Sequence, residues 1–387
     1  MFSVIGCVCL IKQTYGKWND NPVIVSFARH STPLWTLPLP AVTICPEIKY
    51  KRNLFNLTNV KDTLNVTDPI LINYQNALFP ICPESYPISS DENPNFSSTL
   101  RFLAVPLNEV FALVNWRGIE SDYGDVFKEI LTDDGICYTY NMLNYKELVH
   151  DVIDSSLKYP KHEKYSTNWS LQDGYSVFEE TIYPTRVLGS GLKAGIEIRL
   201  IAMKDDLDYK CKGPIQGFKM VLHSPTDWPQ FSKQYYRIPL KKEVIMTVEP
   251  KVIQTSENLR KYKPKIRQCF FDGERSLIFF KIYTQSNCKL ECLSNFTVKY
   301  CGCVRLGSPH DNITQVCGYT MQTCTGNAEN MFISSTWNPN LKSKDQEDDC
   351  NCLPACNSLS YHAASSYGVY YYNEFFESVG IKFDENK

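Results

Sequence analysis

The run NCKLECLSNFTVKYCGC, residues 287–303, places four cysteines in seventeen positions with the spacings C-x3-C and C-x-C. Six more follow the same economy nearby: Cys269, Cys317, Cys324, Cys350, Cys352 and Cys356. Few features constrain a fold more, because zinc thiolates, redox dithiols and disulfide staples belong to different compartments. A structural zinc site needs paired C-x2-4-C ligands or a histidine partner. Cys288 and Cys292 fit half of that pattern, the other spacings form no tetrad, and His310 is the one histidine in the region. Catalytic redox work needs a C-x-x-C beside a βαβ unit, and the chain has none. Staples remain. Cys288 and Cys292, four apart on a helix, share a face and require partners on a facing segment. Cys350 and Cys352, two apart on an extended segment, also share a side. Nesting from the outside in gives Cys269–Cys356, Cys288–Cys352, Cys292–Cys350, Cys301–Cys324 and Cys303–Cys317. Ten cysteines allow about 945 pairings, so spacing alone does not select this ladder.

The wider count supports an oxidising compartment. Of sixteen cysteines in 387 residues, Cys7 and Cys9 lie in an apolar opening stretch and read as lipid-side or buried thiols. The remaining fourteen add Cys45, Cys82, Cys137 and Cys211 to the ten, an even number as full pairing requires. Sequons at Asn56, Asn65, Asn95, Asn168, Asn295 and Asn312 point the same way, toward secretion and an extracellular location. Asn295, lying between stapled positions, is the one expected to be shielded.

Phe2 to Ile11 is an apolar run half the length of a membrane span, which needs about twenty residues. It lacks a basic n-region and a small-residue cleavage site. It reads as the outer end of a transmembrane helix, with Tyr15 and Trp18 as interfacial aromatics. Forty basic residues against forty-two acidic ones leave a net charge of -2 and no basic field, so no nucleic-acid partner is expected. No cofactor or metal is expected. Gly189-Ser190-Gly191 lacks the spacing of a nucleophile elbow. The histidines (His30, His150, His162, His223, His310 and His362) are scattered rather than grouped for catalysis, so the chain reads as a non-enzyme.

Along the chain, residues 19–40 are a proline-punctuated extended connector. Ala41–Cys45 is a short β-branched strand, and residues 46–136 are loop-rich with short helices, one of them over Asp122–Leu131. Gly195–Ile201 and Gly217–His223 alternate as half-buried strands, and Glu243–Gln254 is a third. From Ser276, the residues Ile278, Phe279, Ile282, Tyr283 and Leu290 fit a helix face. Residues 336–349 read as a solvated acidic segment.

The blocks YTQSNCKLEC, YCGCV and CNCLPAC, with LPLPAVTICPE (37–47), GICYTYN (135–141) and GFKMVLHSP (217–225), resemble the DEG/ENaC sodium channels. Their form is that of insect pickpocket subunits, over residues 4 to 360 or so. The resemblance implies the nested ladder above and Cys45–Cys137, leaving Cys82–Cys211 by parity. It implies an α+β ectodomain with antiparallel palm and β-ball sheets, a helical finger, a knuckle and a disulfide-stapled helical thumb. On that plan residues 1–17 are the outer end of the first transmembrane helix, 18–40 the wrist connector and 41–387 the extracellular domain. Within the last, 46–136 is rich in finger and knuckle, 185–255 holds palm and β-ball strands, and 269–356 is the thumb. The implied function is a subunit of a stimulus-gated, amiloride-sensitive sodium channel in the plasma membrane, a homo- or heterotrimer passing sodium ions. The alternative is a secreted or tethered disulfide-rich glycoprotein that binds without conducting.

The chain also departs from the family pattern. The second transmembrane helix with its Gly-x-Ser filter is not among the 387 residues, so the chain as written is expected to conduct nothing. The carboxylates that acid-sensing members carry ahead of the C-x-C-x3-C cluster are replaced by Thr336-Trp337-Asn338-Pro339-Asn340, and their tryptophan before the first thumb cysteine by Ile266. Proton gating by that route is therefore not carried over.

Overall fold

A computed structural model describes the chain except residues 1, 21–22, 24, 29, 58–67, 83–95, 160–168, 176–181, 338–349 and 381–387. Its centre is a five-stranded antiparallel sheet. The strands are β1 (Ala41–Pro46), β4 (Lys128–Thr132), β5 (Gly135–Tyr140), β9 (Gly217–His223) and β10 (Tyr236–Pro239), ordered β10-β9-β1-β5-β4. β1 is buried along its whole length because it is the middle strand, paired with β9 on one side and β5 on the other. Its β-branched residues suit a pleated surface covered on both faces.

The sheet contains the first departure from the sequence reading. Asp122 does start a helix, accepting the Gly124 amide at 2.7 Å, but that helix is the single turn Tyr123–Val126. Residues 128–131, expected to continue it, form with Thr132 the edge strand β4 instead. The reason lies just downstream. Asp133-Asp134 forms a two-residue turn closed by the Thr132↔Gly135 pair, with Gly135 at φ 99°. That hairpin signal overrides local helix preference, because pairing with β5 buries Ile130 and Leu131.

Residues 46–136 also hold more strand than the sequence implied. Helices α2 (Pro69–Leu78) and α3 (Phe96–Leu103) lie there as expected. So do β2 (Phe111–Trp116) and β3 (Ile119–Ser121), which join β8 (Ile196–Leu200) in a three-stranded sheet ordered β3-β2-β8. Trp169–Ser170 and Gly174–Tyr175 form a short hairpin, β6 and β7. Strand β11 (Lys242–Ile253) pairs with β12 (Ser358–Val369) in a twelve-residue antiparallel ribbon.

At the amino terminus, helix α1 runs from Phe2 to Asp20, two residues into the stretch expected to be extended. Its Val4, Ile5, Val8, Leu10 and Ile11 are exposed, as is Tyr15. No helix among the described residues is long and apolar enough to cross a membrane. The connector beyond makes one 3-10 turn, Leu34–Thr36, and then docks on the core through Leu39 N donating to Thr185 O at 2.8 Å.

The cysteine-rich third contributes α4 (Gln285–Cys301) and α5 (Gln322–Trp337). Helix α4 begins later than the sequence pattern implied. Residues 276–284 are irregular, with Phe279, Phe280 and Tyr283 buried singly rather than along a helix stripe. The carboxylate of Glu291, 5% exposed, accepts the amides of Ile278 and Phe279 at 2.8 Å each. Those bonds satisfy backbone donors that a helix would have consumed internally. Thr284 caps α4 by accepting the Asn287 amide at 3.1 Å. A last helix, α6 (Tyr372–Ser378), follows β12.

Candidate functional site

The feature that sets this molecule apart is a cysteine-rich helical module clamped to the central sheet. Five disulfides run through it: Cys269–Cys356, Cys288–Cys352, Cys292–Cys350, Cys301–Cys324 and Cys303–Cys317. Cys288 and Cys292 point from one face of α4 to the segment carrying Cys350 and Cys352. The last two rungs tie the end of α4 to α5 and to the loop before it. Two further disulfides lie outside the module. Cys45–Cys137 crosses β1 and β5 within the sheet, and Cys82–Cys211 ties the end of α2 to the single-turn helix Tyr209–Lys212. Cys7 and Cys9 are free and exposed on α1.

Three joints attach the module. At the start of α4, Asn287 is fully buried and bridges to the loop after β9. Its Oδ1 accepts the Trp228 amide at 2.9 Å, and its Nδ2 donates to Thr226 O at 2.9 Å. Gln230 adds a bond from Nε2 to Ser286 Oγ at 3.0 Å.

At the far end, the loop of residues 302–317 meets the β4–β5 turn. Gly307, at φ 71°, lies flat against the Thr132–Asp133 peptide. Asp154 N donates to His310 O at 2.7 Å and Ser155 N to Asn312 Oδ1 at 3.1 Å, which fixes the same loop to residues 153–155.

At the base, Thr255 Oγ1 donates to Cys356 O at 2.6 Å and Thr255 N to Asn357 Oδ1 at 2.9 Å. The outermost rung is thereby joined to the ribbon. Ile266, three residues before Cys269, is exposed there.

Both turn aspartates of the β4–β5 hairpin are engaged, and on different sides. Asp133 accepts the amides of Phe231 at 3.0 Å and Ser232 at 2.7 Å, holding the loop that touches α4. Asp134 is buried and collects three ammonium groups: Lys49 at 2.6 Å, Lys212 at 3.0 Å and Lys219 at 2.9 Å. Burial alone would raise the Asp134 carboxyl, but those three cations outweigh it and hold it below the usual carboxylate range. Burial lowers the Lys49 ammonium to about 8, with Asp134 opposing the shift. In Lys219 the attraction of Asp134 wins over burial and the ammonium is raised. Arg237 and Lys219 extend the network to buried Glu47.

The end of β9 and the loop after it carry two titratable groups, the buried His223 and the half-buried Asp227. Burial lowers the His223 imidazole to about 4, and its Nε2 lies 2.9 Å from Thr43 Oγ1 in the central strand. Burial raises the Asp227 carboxyl to about 6, against a hydrogen bond from Thr284, the residue that caps α4. Asp227 Oδ1 is buried without a partner.

Of the sequons, Asn295 is exposed on α4, contrary to the shielding expected of it, and Asn312 is exposed in the far loop. Asn56 is half-buried, while Asn65, Asn95 and Asn168 lie outside the described residues. Sequence reasoning missed Asn287, Glu291, Gly307 and the aspartate pair. Only the last left a legible signal, the Asp-Asp-Gly of a tight hairpin.

A stapled helical module clamped to an antiparallel sheet, with the cysteines spaced as they are, is consistent with the ectodomain of a DEG/ENaC sodium channel. The family profile described as amiloride-sensitive sodium channel matches residues 1–386. The chain belongs to that family. It is 27% identical to pickpocket protein 28 of Drosophila melanogaster over 376 residues, covering 94% of this chain and 58% of the relative. It is 22% identical to the sodium channel protein Nach of the same fly over 322 residues, covering 78% of this chain and 57% of that protein. The chain thus spans less than three-fifths of the length of these relatives.

Proposed function

We propose that the chain is the extracellular portion of a stimulus-gated, amiloride-sensitive sodium channel subunit of the plasma membrane, assembling as a homo- or heterotrimer. In this reading α1 is the outer end of the first transmembrane helix, with residues 18–40 as the wrist. The central sheet and the β11–β12 ribbon are the palm, β2, β3 and β8 belong to the β-ball, α2 and α3 to the finger, and residues 269–356 are the thumb. The observation that carries it is the three-point attachment of the stapled module. Disulfides make the module move as one body. Asn287 couples its near end to the loop after β9, Gly307 couples its far end to the β4–β5 hairpin, and Thr255 couples its base to the ribbon. A stimulus that displaces the module therefore shifts both sheets, which is the mechanical link that gating at a distance requires.

The test is a chimera. Residues 41–380 of this chain replace the matching region of pickpocket protein 28, and currents are recorded in oocytes. An amiloride-blocked sodium current from the surface-expressed chimera is the expected result. A chimera that reaches the surface and never conducts under stimuli that open the parent would overturn the reading.

A further inference from the structure

We propose that the cysteine-rich module carries N-linked glycans at Asn295 and Asn312, and that Asn295 receives its glycan before α4 closes. The inference rests on the extracellular reading above only in requiring passage through the secretory route. The two sequons differ in setting but share an outward asparagine. In Asn295-Phe296-Thr297, Asn295 is exposed while the next two residues turn inward. The Phe296 ring packs against Phe332 at 5.8 Å between centroids, and Thr297 is 1% exposed with its hydroxyl donating to Leu293 O at 2.7 Å. In Asn312-Ile313-Thr314, Asn312 is exposed and Ile313 is 89% exposed. The Asn312 amide oxygen accepts Ser155 N, whereas a glycan is attached at the amide nitrogen, so the bond and the sugar are compatible.

The transfer needs a lipid-linked pyrophosphoryl oligosaccharide as donor. A bond forms between Asn Nδ2 and the sugar C1, the C1–O bond to pyrophosphate breaks, Nδ2 loses a proton, and the lipid pyrophosphate leaves. The transferase reads the hydroxyl of the third sequon residue together with the asparagine amide, and an acceptor is ordinarily a surface loop. In the finished fold the Thr297 hydroxyl is buried and bonded within a helix. Modification at Asn295 must therefore come first, before α4 winds and Cys292 joins Cys350. Asn312 stays on an accessible loop. Once both sugars are in place, the outward side of α4 and the loop at 311–313 cannot serve as a tight protein interface.

The experiment expresses the full chain in a human cell line, with and without a brief pulse of dithiothreitol during synthesis. Glycans are released enzymatically in heavy-oxygen water, and peptides are read by mass spectrometry. Heavy aspartate at both 295 and 312 is expected, with the reductant raising occupancy at 295 and leaving 312 unchanged. Label at other sequons but not at 295 or 312 overturns this inference alone. Absence of label at all six overturns the extracellular reading with it. Partial occupancy at 295 that the reductant does not raise overturns the proposed order of events.

Discussion

Gly307 and Thr132 meet backbone to backbone: a Cβ built on the glycine would lie 2.2 Å from the Thr132 carbonyl carbon and 2.4 Å from Asp133 N. No rotamer relieves such a contact, because both partners are main chain. Thr132 in turn sits under the Cys45–Cys137 disulfide, its Oγ1 3.0 Å from Cys137 Sγ. The far end of the stapled module thus rests on the strand pair that the buried sheet disulfide ties together.

Gly307→Ala should lift this joint without touching any disulfide. It combines a positive φ with a steric overlap, and the cost should reach roughly 1 to 3 kcal/mol. A lower melting temperature with faster proteolysis within 302–317 is the expected pattern. An unchanged melt would show that the loop is not held by the hairpin.

The Asp134 network should be asymmetric in its sensitivity. Asp134→Asn leaves Lys49, Lys212 and Lys219 crowded around a neutral group, and uncompensated buried charge costs about 3 to 5 kcal/mol. Removing Glu197 from its exposed pair with Arg199 should cost under about 1 kcal/mol. Denaturant titrations of the two variants would check the contrast.

Asp227 gives a pH signature. Its folded carboxyl titrates near 6, above the ordinary 3.8, so its contribution to stability is full below 3.8 and is lost as pH rises through 6. Asp227→Asn should therefore stabilise the protein at pH 7.5, by roughly 2 to 3 kcal/mol, and be neutral at or below pH 4. Melting curves of both proteins across that range decide it. Equal melting temperatures at pH 7.5 would contradict the assignment.

His223 works in the opposite sense. Its imidazole falls from 6.5 unfolded to about 4 folded, so the stability it contributes is present above 6.5 and lost as pH falls toward 4. The term is worth up to about 3 kcal/mol. His223→Gln, which keeps a polar group beside Thr43, should flatten the acid limb of stability between pH 6.5 and 4. A variant whose acid limb matches the parent's would sink the prediction.

The disulfides should differ in value by the loops they close. Cys303–Cys317 encloses a separation of 14 residues and Cys45–Cys137 one of 92. Chain entropy alone predicts about 3 kcal/mol for the short loop and about 4.7 for the long one. Paired serine substitutions should reproduce that order, with the sheet pair costing further because both of its sulfurs are buried.

The sequence by itself determined the chemistry of the cysteines and the strands whose periodicity is uninterrupted. Alternation in Ile196, Ile198 and Leu200, and in GFKMVLH, is a one-dimensional property that survives wherever one face of a strand is buried. The opposite placement of neighbours in the chain was not legible. Residues 128–132 are strand because β5 lies beside them, and 276–284 are irregular because the Glu291 carboxylate waits nearly two turns into a later helix. Asp133 and Asp134, adjacent in sequence, separate toward an amide pair and a lysine cluster only once the hairpin turns. The Gly307 contact links positions 175 residues apart, and no local pattern marks either of them. Tertiary structure decided these features because each is a satisfied polar group or a close approach whose partner is supplied by a distant segment. Local propensity has no access to such a partner before the chain is packed.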